Sequence, residues 1–507
     1  MDANEYKSYL LGMVFYKYLS DNLLYHVAET MEQPTEDLLK AQEVYLEAYG
    51  DSEIKDDLIE VLEDEIGYVI EPELTFTSLV KKANDNAFSL EMLQQGFRNV
   101  EQASEVFENL FEDIDLYSKK LGSTPQKQNN MISAVMKQLS TLDVAGHNGD
   151  ILGDAYEYLI GQFASDSGKK AGEFYTPQPV AQLMTRIVIS GRENKKGFTV
   201  YDPCLGSGSL LLNAKKYSNE TTTIRYFGQE LNTTTYNLAR MNMILHGVSV
   251  GNHTLRNGDT LDADWPTDEP TDFDGVLMNP PYSAKWSANA GFLNDSRFSG
   301  YGVLAPKSKA DFAFLLHGLY HLRHNGGVMA IVLPHGVLFR GNTEGKIRKK
   351  LLTDGAIDTV IGLPANIFYN TSIPTTVIIL KKDREKRDVL FIDASKDFEK
   401  GKNQNVLTEA HITKIEEAYI KRETIDKYSY LAPFEEIEEN DFNLNIPRYV
   451  DTFEEEEPID IVELSREMVD LNLQIKQNET EFLAMLDELV VTDETRELIE
   501  ATKRIFE

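Results

Sequence analysis

Six short runs rich in β-branched and aromatic residues, at 198–201, 223–227, 274–278, 327–332, 359–362 and 375–380, alternate with amphipathic stretches such as 233–246 and 311–324. A chain with that rhythm has few folds open to it. Strands separated by helices predict an α/β layer around a mostly parallel sheet. Sheets of this kind bind ligands outside the carboxyl ends of their strands. Residues that carry chemistry should therefore follow the runs directly, and they do.

The flanks read differently. Residues 1–150 have apolar positions three and four apart, as in Leu10, Met13, Val14, Tyr18 and in Leu58, Val61, Leu62, Ile66, which predicts an all-helical N-terminal domain. The α/β part is expected over 151–432, an acidic linker over 433–457 and a helical segment over 458–507. In that last segment Ile461, Leu464, Met468, Leu471, Ile475, Phe482, Met485 and Leu489 form a heptad seam with one polar member, Asn478. Such a seam suits a helix that docks on a partner.

Of the net charge of −33, residues 1–150 carry −18, residues 451–507 carry −13, and the middle carries only −2. The acidic ends are poorly suited to phosphate, which is held by Lys and Arg. The middle, with Arg340, Lys346, Arg348, Lys349 and Lys350, is locally basic. A single cysteine, Cys204, excludes a disulfide framework and a thiolate metal cage, and no metal site is expected. No apolar run reaches the roughly 18 residues of a membrane span. The polar, acidic start does not read as a leader, so a cytoplasmic protein is expected.

The first run ends in Asp202-Pro203-Cys204-Leu205-Gly206-Ser207-Gly208-Ser209 and passes into Leu210-Leu211-Leu212. This is a strand, a glycine turn and a helix start. Glycines let the backbone approach a ligand, and a helix N-terminus offers free N–H groups. A dinucleotide fingerprint would want a third small residue where Leu211 stands, and no Walker lysine follows. The second run closes on Gly228-Gln229-Glu230, whose carboxylate can accept both hydroxyls of a ribose. In Asn257-Gly258-Asp259-Thr260, Asp259 can accept from an adenine amino group.

After the third run comes Asn279-Pro280-Pro281-Tyr282. Pro280 biases Asn279 away from the helical region, and the two prolines make the loop extended and rigid. An amide oxygen and one carbonyl can then accept both hydrogens of a planar amino group. Its nitrogen lone pair is freed for an electrophile while Tyr282 stacks on the ring.

In this order the motifs resemble the amino-methyltransferases that use S-adenosyl-L-methionine. Upstream, Gly172-Glu173-Phe174-Tyr175-Thr176-Pro177-Gln178-Pro179 resembles the cofactor-contacting motif of adenine-N6 DNA methylases. Along its whole length the chain resembles the modification subunit of type I restriction-modification systems. That likeness runs through the helical N-terminal domain, Leu238-Ala239-Arg240-Met241-Asn242-Met243, Gly362-Leu363-Pro364-Ala365-Asn366-Ile367-Phe368 and Asn440-Asp441-Phe442-Asn443-Leu444-Asn445-Ile446-Pro447-Arg448-Tyr449.

The resemblance implies a Rossmann-like methyltransferase domain that methylates N6 of an adenine flipped out of DNA. It implies cofactor contacts at Glu173, Phe174, Tyr175, Thr176, Pro177, Gln178, Ser207, Gly208, Ser209 and Glu230, with Asp202, Gly206 and Asp259 in the same pocket. Asn279, Pro280, Pro281 and Tyr282 are implied as the catalytic set. Its implied partners are double-stranded DNA, a specificity subunit flanked by two modification subunits, and a restriction subunit in the full complex. The lack of any recognition domain fits borrowed specificity. The alternative is a protein-glutamine or RNA-guanine N-methyltransferase, because Asn-Pro-Pro-Tyr suits those amino groups too.

Overall fold

The computed structural model describes residues 3–142, 149–166, 175–267, 271–368, 371–402, 404–452, 460–492 and 494–506. Glu173 and Phe174, two of the expected cofactor contacts, lie outside these residues. The described chain has eleven strands: β1 (Thr199–Asp202), β2 (Arg225–Glu230), β3 (His253–Asn257), β4 (Gly275–Met278), β5 (Val328–Pro334), β6 (Ile357–Gly362), β7 (Thr375–Leu380), β8 (Val389–Asp393), β9 (Glu399–Lys400), β10 (Asn405–Val406) and β11 (Ser429–Ala432). Nine form one sheet in the order β11-β8-β6-β7-β5-β4-β1-β2-β3, and β9 with β10 makes a small antiparallel pair. The sheet is parallel from β5 to β3 and between β6 and β8. β7 runs antiparallel between β5 and β6, and β11 antiparallel to β8.

The strand order reverses at β1 and β4. From β1 the chain steps outward to β2 and β3, then returns to the other side of β1 as β4 and steps outward again. Connections on either side of that reversal depart in opposite directions and leave a crevice at the carboxyl ends. Asp202 ends β1 and Met278 ends β4, so the glycine loop and Asn279 flank this crevice.

Side chains alternate across the sheet because the strand period is two. Tyr201, Phe227, Val276, Met278, Met329 and Ile331 enter the core on one face. Val200, Tyr226, Leu277, Ala330 and Val332 enter the core on the other. Both faces are covered, which is why these strands read as continuous apolar runs rather than as alternation.

A third core joins the N-terminal helices. Phe15, Tyr16, Leu19 and Leu23 of the helix Ala3–Thr30 are buried, Tyr16 Oη donates to Leu74 O at 2.8 Å, and the rings of Phe97 and Phe111 stack at 4.2 Å. Tyr156, Ile160, Leu238, Met241 and Leu245 belong to this same core. The boundary expected at 150 therefore falls inside the helix Gly149–Asp166, and part of the α/β segment packs with the helical one.

The linker expected over 433–457 needs correction for 433–452. A helix at Phe434–Glu439 is followed by Phe442, Leu444, Ile446, Tyr449 and Val450, all buried against the sheet, with the Tyr449 ring stacked on Phe391 at 4.0 Å. The acidic run 435–439 is the solvent side of a packed segment, with Ile437 at 0% exposure. The first compact unit ends at Thr452.

The second unit, Phe453–Glu507, contains the helices Ile461–Glu488 and Arg496–Phe506. Asp460 caps the first by accepting from the N–H of Val462 at 2.8 Å, and Phe482 meets Phe506 edge-on at 5.2 Å. None of the described residues of the long helix is buried. Among the described residues no helix is long and apolar enough to cross a membrane.

Candidate active site

The crevice holds a cavity of about 450 Å³. Its wall after β1 is the loop 202–209. Gly206 and Gly208 take φ of 57° and 81°, a region open to glycine without a steric cost, and Gly208 caps the helix Ser209–Tyr217. The loop is held from several sides. Leu205 N–H donates to Gln229 O at 2.9 Å, and Asn242 Nδ2 donates to Ser207 O at 3.0 Å. A Cβ on Gly228 would stand 2.7 Å from Leu205 Cδ1, which explains the glycine in β2.

Glu230, at the end of β2, clamps this loop. Its Oε2 accepts from Gly206 N–H at 2.9 Å and its Oε1 from Asn232 N–H at 2.8 Å. Burial raises its pKa, and these N–H donors oppose the rise. Asp259 follows β3 and accepts from Leu261 N–H at 2.9 Å. Thr260 Oγ1 ties the three loops together by donating to Pro203 O at 2.6 Å, with Gln229 Oε1 at 3.2 Å.

Asp202 is 1% exposed and lines the cavity. Burial pushes its carboxyl up to about 8 from an ordinary 3.8, the Glu230 charge adds to the rise, and a hydrogen bond from Cys204 N–H offsets part of it. The folded chain thus holds a proton that the unfolded chain releases, so stability falls as pH rises from about 4 toward 8. Asp202→Asn lacks that proton equilibrium. The stability difference in favour of the Asn variant should therefore widen between pH 5 and pH 8, measured by denaturant midpoints without added ligand. A pH-independent difference would contradict the protonated carboxyl.

On the far side of the reversal, Asn279 is 7% exposed. Its Nδ2 donates to Thr176 Oγ1 at 3.1 Å, and its Oδ1 is buried without a partner. A buried unsatisfied carbonyl is costly and native proteins rarely keep one. Here the oxygen belongs to a cavity-lining residue, so an incoming donor can satisfy it.

The cavity brings together Tyr175, Thr176, Asp202, Gly206, Ser207, Ser209, Glu230, Asp259, Asn279 and Pro281 from the sequence-derived set. Others lie elsewhere. Gly208 sits behind the loop against Met243 and Ala239, and Pro280 is buried. Pro177 and Gln178 line a neighbouring cavity of about 600 Å³ that shares Tyr175 with the first. There Gln178 Nε2 donates to Glu157 Oε2, and its Oε1 accepts from Asn213 Nδ2 at 3.1 Å. Burial pushes the Glu157 carboxyl up to about 7. The Tyr282 ring packs edge-on to Phe368 at 6.0 Å, with its hydroxyl buried and unpartnered.

Sequence reasoning missed Leu231, Asn232, Thr235, Thr260 and Phe314 in the cavity wall. Two of them had a readable signal. Leu231 is an apolar residue directly after the acidic strand end and is 67% exposed. Asn232 precedes Thr233-Thr234-Thr235 as a helix N-cap, and its Oδ1 accepts from Thr235 N–H at 3.0 Å.

A sheet of this order, with one antiparallel strand between β5 and β6 and a crevice at β1 and β4, joins the following likenesses in making the chain a methyltransferase. The N-6 DNA Methylase family model matches residues 147–458, and the HsdM N-terminal domain model matches residues 1–139. The chain is 34% identical to the type I restriction enzyme MpnII methylase subunit of Mycoplasma pneumoniae, over 91% of this chain and 88% of that one. It is 30% identical to the MjaVII methylase subunit of Methanocaldococcus jannaschii, over 95% and 80%. The crystal structure of the type I restriction-modification methyltransferase subunit of Streptococcus thermophilus is similar at 73% identity and a TM-score of 0.88, covering 89% of this chain and 96% of that one. The chain belongs to the methylase subunits of type I restriction enzymes, within the N-6 DNA methylases.

Proposed function

We propose that the 450 Å³ cavity binds S-adenosyl-L-methionine and that Asn279 presents its amide oxygen to the N6 amino group of an adenine flipped out of duplex DNA. The observation that carries this reading is the unpartnered Oδ1 of Asn279, in an amide whose nitrogen is already engaged by Thr176. Glu230 would hold the ribose hydroxyls, Asp259 the adenine amino group, and the loop with Asp202, Gly206, Ser207 and Ser209 the remainder. Tyr175 and Thr176 would close the cavity from the opposite side. When bound, the cofactor supplies an electrophilic methyl group on a sulfonium.

What the chain's own residues do is orient and polarise. Asn279 Oδ1 and the Pro280 carbonyl accept the two amino hydrogens, which directs the nitrogen lone pair away from the ring. The rigid Pro-Pro turn keeps both acceptors in place without reorganisation, which is where preorganised hydrogen bonding gains over water. Tyr282 supplies an aromatic face for the base, whose removal from the duplex costs roughly a few kcal/mol.

Specificity comes from a separate subunit. The seam from Ile461 to Leu489 docks on it, and its apolar members are 40–76% exposed, with Phe482 and Ile461 as the extremes. Two copies of this chain flank one specificity subunit, and a restriction subunit joins the full complex. The relatives' designation as methylase subunits supports such an assembly. The test uses the full chain co-purified with its partner, duplex DNA and methyl-labelled cofactor. Label is expected in N6-methyladenine, and label in protein glutamine or RNA guanine instead would overturn the reading. A chain ended after Val450 should still bind cofactor but lose its partner and the DNA activity. Normal assembly by the shortened chain would remove the seam from the interface.

A further inference from the structure

The turn that follows the Asn-Pro-Pro-Tyr loop is strained. Ser283 takes φ of 52°, a left-handed conformation that a residue with a Cβ seldom adopts. Strain of this kind persists only where the surroundings hold it. One side chain holds it here. Asp311, at 0% exposure, accepts from Ser283 N–H through Oδ1 at 2.8 Å. Its Oδ2 accepts from Arg340 Nη2 at 2.6 Å, and Arg340 comes from the loop after β5. Beside it, Ala310 N–H donates to Ala284 O at 2.9 Å, closing a second link between the same two loops.

We propose that Asp311 is a positioning residue for methyl transfer. On this view it holds the left-handed turn at Ser283, which fixes where Asn279 and Tyr282 stand, and Arg340 orients the carboxylate. The inference rests on the reading of Asn279 given above. Several features fit the task. Asp311 opens the helix Asp311–Tyr320, where a negative charge is favoured by the helix N-terminus. Its two oxygens are divided between a backbone N–H and a guanidinium, so neither can turn away without abandoning a partner. Arg340 is in turn held by Glu344, with Nε 2.8 Å from Oε2. The chain runs from the catalytic loop to Asp311 to Arg340 and ends on the helix Asn342–Thr353. None of Asp311, Arg340 or Glu344 lines the cofactor cavity, so their loss should leave cofactor binding alone.

The test compares Asp311→Ala, Asp311→Asn and Asp311→Ala combined with Ser283→Gly in the assembled enzyme. Misplacing a reacting group by about 1 Å costs on the order of 10²-fold in rate, so Asp311→Ala should lower kcat by at least about tenfold while cofactor Kd stays within twofold. Asp311→Asn, which keeps one acceptor for Ser283, should fall between the two. Glycine takes positive φ without a clash. Ser283→Gly should therefore restore part of the kcat lost in Asp311→Ala, which a purely structural role would not predict. A folded Asp311→Ala with wild-type kcat overturns the proposal. If that variant loses cofactor binding as well, Asp311→Asn decides: lower kcat at unchanged Kd supports the clamp, and unchanged kcat overturns it. Should the wild type label an acceptor other than adenine, the reading of the substrate fails, and the same comparison is made with that acceptor.

Discussion

Replacing Asn279 by alanine should abolish methyl transfer and leave cofactor affinity within a factor of two. The two halves of that expectation have different sources. The amide oxygen is a buried, unpartnered acceptor on a cavity-lining residue, and on the proposed mechanism its removal takes away the group that acts on the amino nitrogen. Losing one such preorganised partner costs about 2.7–4 kcal/mol, or roughly 10²–10³ in rate. The amide nitrogen donates to Thr176, and the loop with Glu230 does not depend on it. Single-turnover transfer and calorimetry on the same folded variant separate the two quantities. Activity within twofold of wild type would remove Asn279 from the mechanism.

Glu230→Ala should act in the opposite way, through binding. Its carboxylate is expected to accept the ribose hydroxyls, and it also fixes Gly206 and Asn232 through their N–H groups. Hydrogen bonds to a charged group contribute about 1.5–3 kcal/mol each. Losing one such contact to the ligand, together with the loop clamp, should weaken cofactor binding by roughly 10–100-fold. Glu230→Gln keeps one acceptor and should show a smaller loss. Calorimetry on variants with an unaltered unfolding midpoint is the measurement. An unchanged dissociation constant would take Glu230 out of the ligand site.

Much of this site was legible because strand order and motif order coincide. Three βα units in succession put Asp202, Glu230 and Asp259 on one side of the reversal, and the return to β4 puts Asn279 on the other. Local chemistry carried that far. It failed where a neighbour distant in sequence decides the outcome. Gln178 sits in a motif read as cofactor-binding, yet its amide is taken by Glu157 and Asn213, which nothing in 172–179 announces. Tyr282 reads as a stacking ring, and the edge-on contact that Phe368 makes with it is not announced in 279–282. The stretch 433–452 looks like a linker because its charges are contiguous, whereas its buried residues are spaced irregularly through turns and short helices. Periodicity detects none of these.

The packing of Tyr156, Ile160, Leu238, Met241 and Leu245 into the core of the N-terminal helices has a consequence for heredity. Two family models divide the chain near residue 140, as though the halves were interchangeable modules. Their side chains say otherwise. A hybrid gene joining the helical third of one relative to the sheet of another would confront mismatched apolar surfaces on the very helix, Thr233–Leu245, whose Asn242 supports the glycine loop. Recombination at that point would be punished in the cavity that the glycine loop borders rather than at the joint. A joint after Thr452, where the first compact unit ends, leaves both that core and the glycine loop whole.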